Sequence, residues 1–125
     1  MSHLSKIEIQ IQDLQALEQA CQAMGLEFKE NQRTFKWYNG TSPCSHVIKV
    51  PNALYEIGVV QTGKTYELQC DFWSAGGLQS VLGENGNLIK KHYSLARVKN
   101  EARKKRYRIQ EQPIQNGTRL VLTTA

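Results

Sequence analysis

Tyr55-Glu-Ile-Gly-Val-Val-Gln-Thr-Gly-Lys-Thr-Tyr-Glu-Leu-Gln-Cys-Asp-Phe72 decides the fold of this 125-residue chain. Tyr55, Ile57 and Val59 alternate with more polar or smaller neighbours up to Thr62-Gly63, and Tyr66, Leu68, Cys70 and Phe72 alternate back. Side chains on a strand point to opposite faces in turn, so this period of two around a Gly-containing turn predicts an antiparallel hairpin with one buried face. Working outward toward the N-terminus, Val47–Val50 is a short strand stopped by Pro51-Asn52. Ser5–Gln12 alternates Ile7, Ile9 and Ile11 with Lys6, Glu8, Gln10 and Gln12, the pattern of a half-buried strand. Asp13 stands where an N-cap is needed, Leu14, Leu17, Cys21 and Met24 follow at helical spacing, and Gly25 is placed as the left-handed stop. Leu26–Phe28 and Phe35–Trp37 are short alternating runs expected to pair as a hairpin, and Asn39–Pro43 reads as a loop.

Toward the C-terminus, Gly76-Gly77 breaks the sheet, and Leu78, Val81 and Leu82 form about one helical turn before Gly83. A long helix follows, with Leu88, His92, Leu95, Val98 or Lys99, and Ala102 as its expected core stripe. Tyr107 and Ile109 begin a strand, Asn116-Gly117 supplies a tight turn, and Leu120 and Leu122 lie on the last strand. Short-linked strands with two main helices inserted predict an α+β fold. The expectation is one domain over residues 1–125, a two-layer sandwich of mainly antiparallel sheet with both helices on one face.

Hydrophobic residues make up 40% and charged residues 22% of the chain, ordinary values for a globular domain of this length. The net charge of +5 hides an asymmetry. Residues 86–125 hold 10 basic and 2 acidic side chains, a net +8, and residues 1–85 hold 6 basic and 9 acidic ones, a net −3. Such a dipolar chain suggests an acidic partner for its C-terminal part, protein or nucleic acid. No apolar run approaches the ~20 residues needed to cross a bilayer, and the first residues lack the pattern of a secretory signal. Cys21, Cys44 and Cys70 are an odd, widely spaced set, which fits free thiols in cytosol or an organelle stroma.

Several segments resemble a known family: Cys44-Ser-His-Val-Ile-Lys-Val-Pro51, Tyr55–Val60, Asp71-Phe-Trp73, Gly76-Gly-Leu78, Leu82-Gly83 and Glu101-Ala-Arg-Lys-Lys-Arg-Tyr-Arg108. The family is a domain of unknown function in small bacterial, cyanobacterial and plastid proteins that includes the hypothetical chloroplast reading frame thirty-five. The Cys-x-His segment and the charged helix look like its non-plastid bacterial branch. The family has no established activity. The resemblance implies an accessory or adaptor role, since members are often encoded near an AAA-type ATPase and another small unknown domain. No cofactor is expected.

The sharpest candidate is the basic run of Arg97, Arg103, Lys104, Lys105, Arg106 and Arg108. Its bland reading has a physical cause, because cations near a helix C-terminus stabilise the helix dipole. Its functional reading is a contact surface for a protein partner or for phosphates, with Tyr107 available to stack on a base. No recognised nucleic-acid motif accompanies it. Cys44 and His46, two apart in an extended segment, can point the same way toward a soft metal, with Cys70 as a third ligand and His3, His92 or Asp71 as further donors. The bland reading is a buried thiol beside a hydrogen-bonded imidazole. A Cys–His catalytic pair needs an oxyanion donor and an orienting carboxylate as well. Gly76-Gly77-Leu78 can offer amides to an anion, but it lacks the Lys-Ser/Thr of a phosphate-binding loop and reads first as a corner. Trp37, Tyr38, Tyr55 and Trp73 read as core, unless an exposed Trp37 or Trp73 beside the basic segment marks a binding groove. The leading expectation is a non-enzymatic accessory protein that binds a protein partner through the basic helix. The runner-up is nucleic-acid binding by the same face, and the third is a metal- or thiol-dependent enzyme.

Overall fold

A computed structural model describes residues 4–105, 107–114 and 117–124. Its central sheet has five antiparallel strands in the order β1-β7-β6-β5-β2. These are β1 (Ser5–Ile11), β2 (Glu27–Lys29), β5 (His46–Lys49), β6 (Glu56–Thr62) and β7 (Thr65–Cys70). The hairpin read from the sequence is its centre: β6 and β7 pair from Gly58 with Gln69 to Thr62 with Thr65. Phe28, Ile48 and Ile57 align across three strands, as do His46, Val59, Leu68 and Ile7 across four. Both rows point to one face, and there α1 (Leu14–Met24) and α3 (Asn87–Lys104) pack. The fold is α+β with its main helices on that face.

Local chemistry sets the helix ends. Asp13 Oδ1 accepts from the amides of Gln15 and Ala16 at 3.0 and 3.2 Å, satisfying donors that a first turn leaves free. Gly25 ends α1 at φ 72°, in the left-handed region. The short α2 (Gln79–Leu82) closes on Gly83.

The opposite face of the sheet holds a correction. Leu26–Phe28 and Phe35–Trp37 do not pair with each other: β2 joins the sheet edge against β5, and β3 (Thr34–Trp37) pairs with β4 (Gly40–Pro43). The segment read as a loop is therefore a strand. The cause lies outside these segments. Phe35 is buried against Gly58, whose missing side chain opens room on the back of β6, so β3 crosses that face instead of extending the sheet. Two buried carboxylates fix it there. Glu56 Oε1 accepts from the Lys36 amide at 2.9 Å, and Asp71 Oδ2 accepts from the Tyr38 amide at 3.4 Å.

The core stripe of α3 is also corrected, by one residue. Ile89, Tyr93 and Ala96 face the core with Ala102 buried further on, while Leu88 is 43% exposed. Two adjacent stripes share the same spacing, and tertiary contacts choose between them. The Tyr93 hydroxyl accepts from the amides of Gln12 and Asp13 at 3.0 and 3.3 Å, which locks that face inward. The chain finishes in the hairpin β8 (Tyr107–Ile114) and β9 (Gly117–Thr124), which rests on α3. The expected Asn116 turn position lies outside the described residues.

Candidate functional site

Cys44 and His46 both hold the connection between β2 and β3. The Cys44 thiol donates to the Gln32 carbonyl at 3.3 Å, and His46 Nδ1 accepts from the Asn31 amide at 3.0 Å. Acceptance at Nδ1 places the imidazole proton on Nε2. The ring lies between Phe28 and Tyr66, at 5.6 and 5.7 Å. Burial pushes the Cys44 thiol up and the His46 imidazole down from their ordinary values. Cys70 is buried on β7, separated from His46 by strand β6, and burial with the Asp71 charge pushes its thiol up to about 12. Among the described residues no group of three or more His, Cys, Asp or Glu side chains is placed to hold a metal ion. His3 lies outside the described residues. The Gly76 and Gly77 amides donate to Trp73 and Ser74 carbonyls, so they are engaged in the corner itself.

The basic run divides. A helix turns by about 100° per residue, so neighbours in this run face different ways. Arg97 and Lys105 line one cleft with Val98, Glu101, Ala102 and Leu122, a space of about 310 Å³ between α3 and β9. Arg103 lines a second cleft, on the other side of the hairpin, with Lys99, His92 and Leu95. Lys104 pairs with Glu101 at 3.7 Å, and Lys99 pairs with Glu111 of β8. Arg97 Nη1 donates to the Tyr93 hydroxyl and to Gln12 Oε1, both at 3.3 Å, and this contact raises its already high pKa. Arg106 and the Arg108 and Tyr107 side chains lie outside the described residues.

The first cleft has an apolar floor that sequence reading missed. Val98 is 40% and Leu122 41% exposed, with the buried Ala102 between them. Helical spacing admits Val98 as a member of the core stripe, and only the one-residue correction of that stripe leaves it exposed. Leu122 carried no signal, because its exposure depends on where the hairpin lands. An apolar floor with Arg97 and Lys105 at its rim, beside a Glu101 already paired with Lys104, suits a protein segment that brings both apolar and acidic side chains; a phosphate backbone has nothing to place on that floor.

Trp73 is exposed as well, and it sits against Tyr38 and Tyr55. No helix among the described residues is long and apolar enough to cross a membrane.

Comparison with known proteins adds a family. A family model described as protein of unknown function (DUF1257) matches residues 20–122. Over 75 residues the chain is 31% identical to the uncharacterized protein ycf35 of Guillardia theta, a stretch covering 58% of this chain. The same stretch spans 59% of that relative's length. No solved structure matches the chain.

Proposed function

The chain belongs to the family of unknown function DUF1257, and from that premise we propose that it is a non-enzymatic accessory protein that docks an acidic segment of a protein partner. The observation that carries this reading is the cleft of Arg97, Val98, Glu101, Ala102, Lys105 and Leu122, apolar at its floor, with two cations at its rim and the Glu101 carboxylate paired with Lys104. Interfaces of this type draw affinity from a desolvated apolar centre and specificity from the surrounding charge. The net +8 of residues 86–125 extends the attraction beyond the contact itself. The non-enzymatic reading is supported by Cys44 and His46, which are both engaged with the backbone of residues 31–32. An AAA-type ATPase system, implied by the family resemblance, is the first partner to test. Cytoplasm, or stroma for a plastid-encoded copy, is the compartment this reading carries with it.

Nucleic acid is the competing occupant of the same surface. Measurement of a fluorescent oligonucleotide against the intact protein, Val98→Asp and Arg97→Glu/Lys105→Glu separates the two. We expect only weak association at low salt, lost as salt rises, since few phosphates can be neutralised here. Tight, saturable binding that survives Val98→Asp and vanishes in Arg97→Glu/Lys105→Glu would transfer the surface to nucleic acid.

A further inference from the structure

Three loops that are distant in sequence build an aromatic corner at one end of the sheet. Tyr38 comes from the turn between β3 and β4, Leu54 and Tyr55 precede β6, and Trp73 follows β7. Tyr38 stands perpendicular to Trp73, at 88° with centroids 5.2 Å apart. Tyr55 backs Trp73 at 6.4 Å and 29°. Tyr55 is buried, whereas Trp73, Tyr38 and Leu54 keep 44%, 55% and 70% of their surface exposed.

The corner is held in place. The Gly76 carbonyl accepts from the Leu54 and Tyr55 amides at 3.0 and 3.4 Å, and a side chain on Gly76 would overlap the Tyr55 ring. One carboxylate orients both walls: Asp71 Oδ1 accepts from the Trp73 amide at 2.9 Å and Oδ2 from the Tyr38 amide at 3.4 Å. Asp71 is buried, and among the described residues its carboxylate forms no salt bridge, although Glu56 and Glu67 have Lys49 and Lys6. A buried carboxylate without a counter-ion leaves negative potential behind rings whose faces are already negative.

We propose that Tyr38, Tyr55 and Trp73, with Asp71 behind them, form a site for a cationic side chain, an arginine presented by a protein partner. A guanidinium stacks flat on an indole face and is weakly hydrated, so it loses less on entering the corner than an ammonium does. The site is separate from the cleft beside α3 and stands or falls without it.

The test uses the intact protein with 5-fluorotryptophan, the Trp73 resonance being assigned through Trp73→Phe. It is titrated with N-acetyl-arginine amide and with N-acetyl-citrulline amide, a neutral side chain of nearly the same shape. The expected result is a saturable shift of the Trp73 resonance by the arginine compound, at least about threefold tighter than by citrulline, with the Trp37 resonance unmoved. Asp71→Asn should narrow that preference. Tyr38→Leu changes an exposed residue, so it carries the test even if Asp71→Asn does not fold, and it should weaken arginine binding by about threefold or more. Equal shifts by arginine and citrulline, no saturable shift in the millimolar range, or full arginine preference in Tyr38→Leu would each overturn the proposal.

Discussion

A methyl group on Gly58 would fall within the Phe35 ring, so this glycine decides which face of the sheet β3 can cross. Gly58→Ala should destabilise the protein by about 1–3 kcal/mol, the usual cost of overpacking, as measured by chemical denaturation. A loss under about 0.5 kcal/mol would mean that Phe35 is not seated there. From sequence, Gly58 was only a small residue inside an alternating strand, because its partner lies in another segment. Asp13 and Gly25 were legible because capping is settled within a few residues. His46 offers a second check at this scale. Burial, only partly offset by the Glu30 carboxylate, holds its imidazole below the ordinary value. Its folded pKa is depressed, so the unfolded chain takes up the proton first as pH falls. The stability it contributes is complete above the ordinary histidine value of about 6.5 and is lost as pH drops through the folded value. His46→Gln should flatten the pH dependence of the denaturation midpoint below that point. His92, lowered mainly by burial and then by Lys91 and Lys99, leaves a residual slope of the same sign. An unchanged slope in His46→Gln would contradict the contact with Asn31.

Helix α3 shows what periodicity can and cannot settle. Its existence was legible, because a stripe at helical spacing is a local feature. Its orientation was not, because the stripe starting at Leu88 and the one starting at Ile89 have the same period. The Tyr93 hydroxyl breaks the tie by accepting two backbone amides at the start of α1, a contact invisible along the chain. Tyr93→Phe strips those amides of their partner and should cost about 1–3 kcal/mol. Leu88→Ala, at an exposed position, should change stability by less than about 0.5 kcal/mol. The reverse order in denaturation experiments would restore the stripe read from sequence. The strand β4 escaped notice for a related reason: Gly40–Pro43 lacks any apolar alternation, and only its pairing with β3 defines it.

Over the whole molecule the charge map was legible, since counting residues needs no fold. The grouping of those charges was not. The C-terminal hairpin rests on α3 and divides the basic run, giving Arg97 and Lys105 an apolar floor while sending Arg103 to the far side. The aromatic corner is equally tertiary, for its three walls come from three loops. The molecule therefore presents two differently charged surface regions, one basic around α3 and one near a buried carboxylate. The proposed docking of a protein partner takes place at the first of these. A photo-crosslinking amino acid placed in turn at Val98, at Leu122 and at the exposed turn residue Lys64 tests it directly in the native host. Positions 98 and 122 should capture the same protein through an acid-rich peptide, position 64 should not, and the purified pair should dissociate as salt rises. Capture of nucleic acid at 98 and 122, or the same products at all three positions, would contradict it.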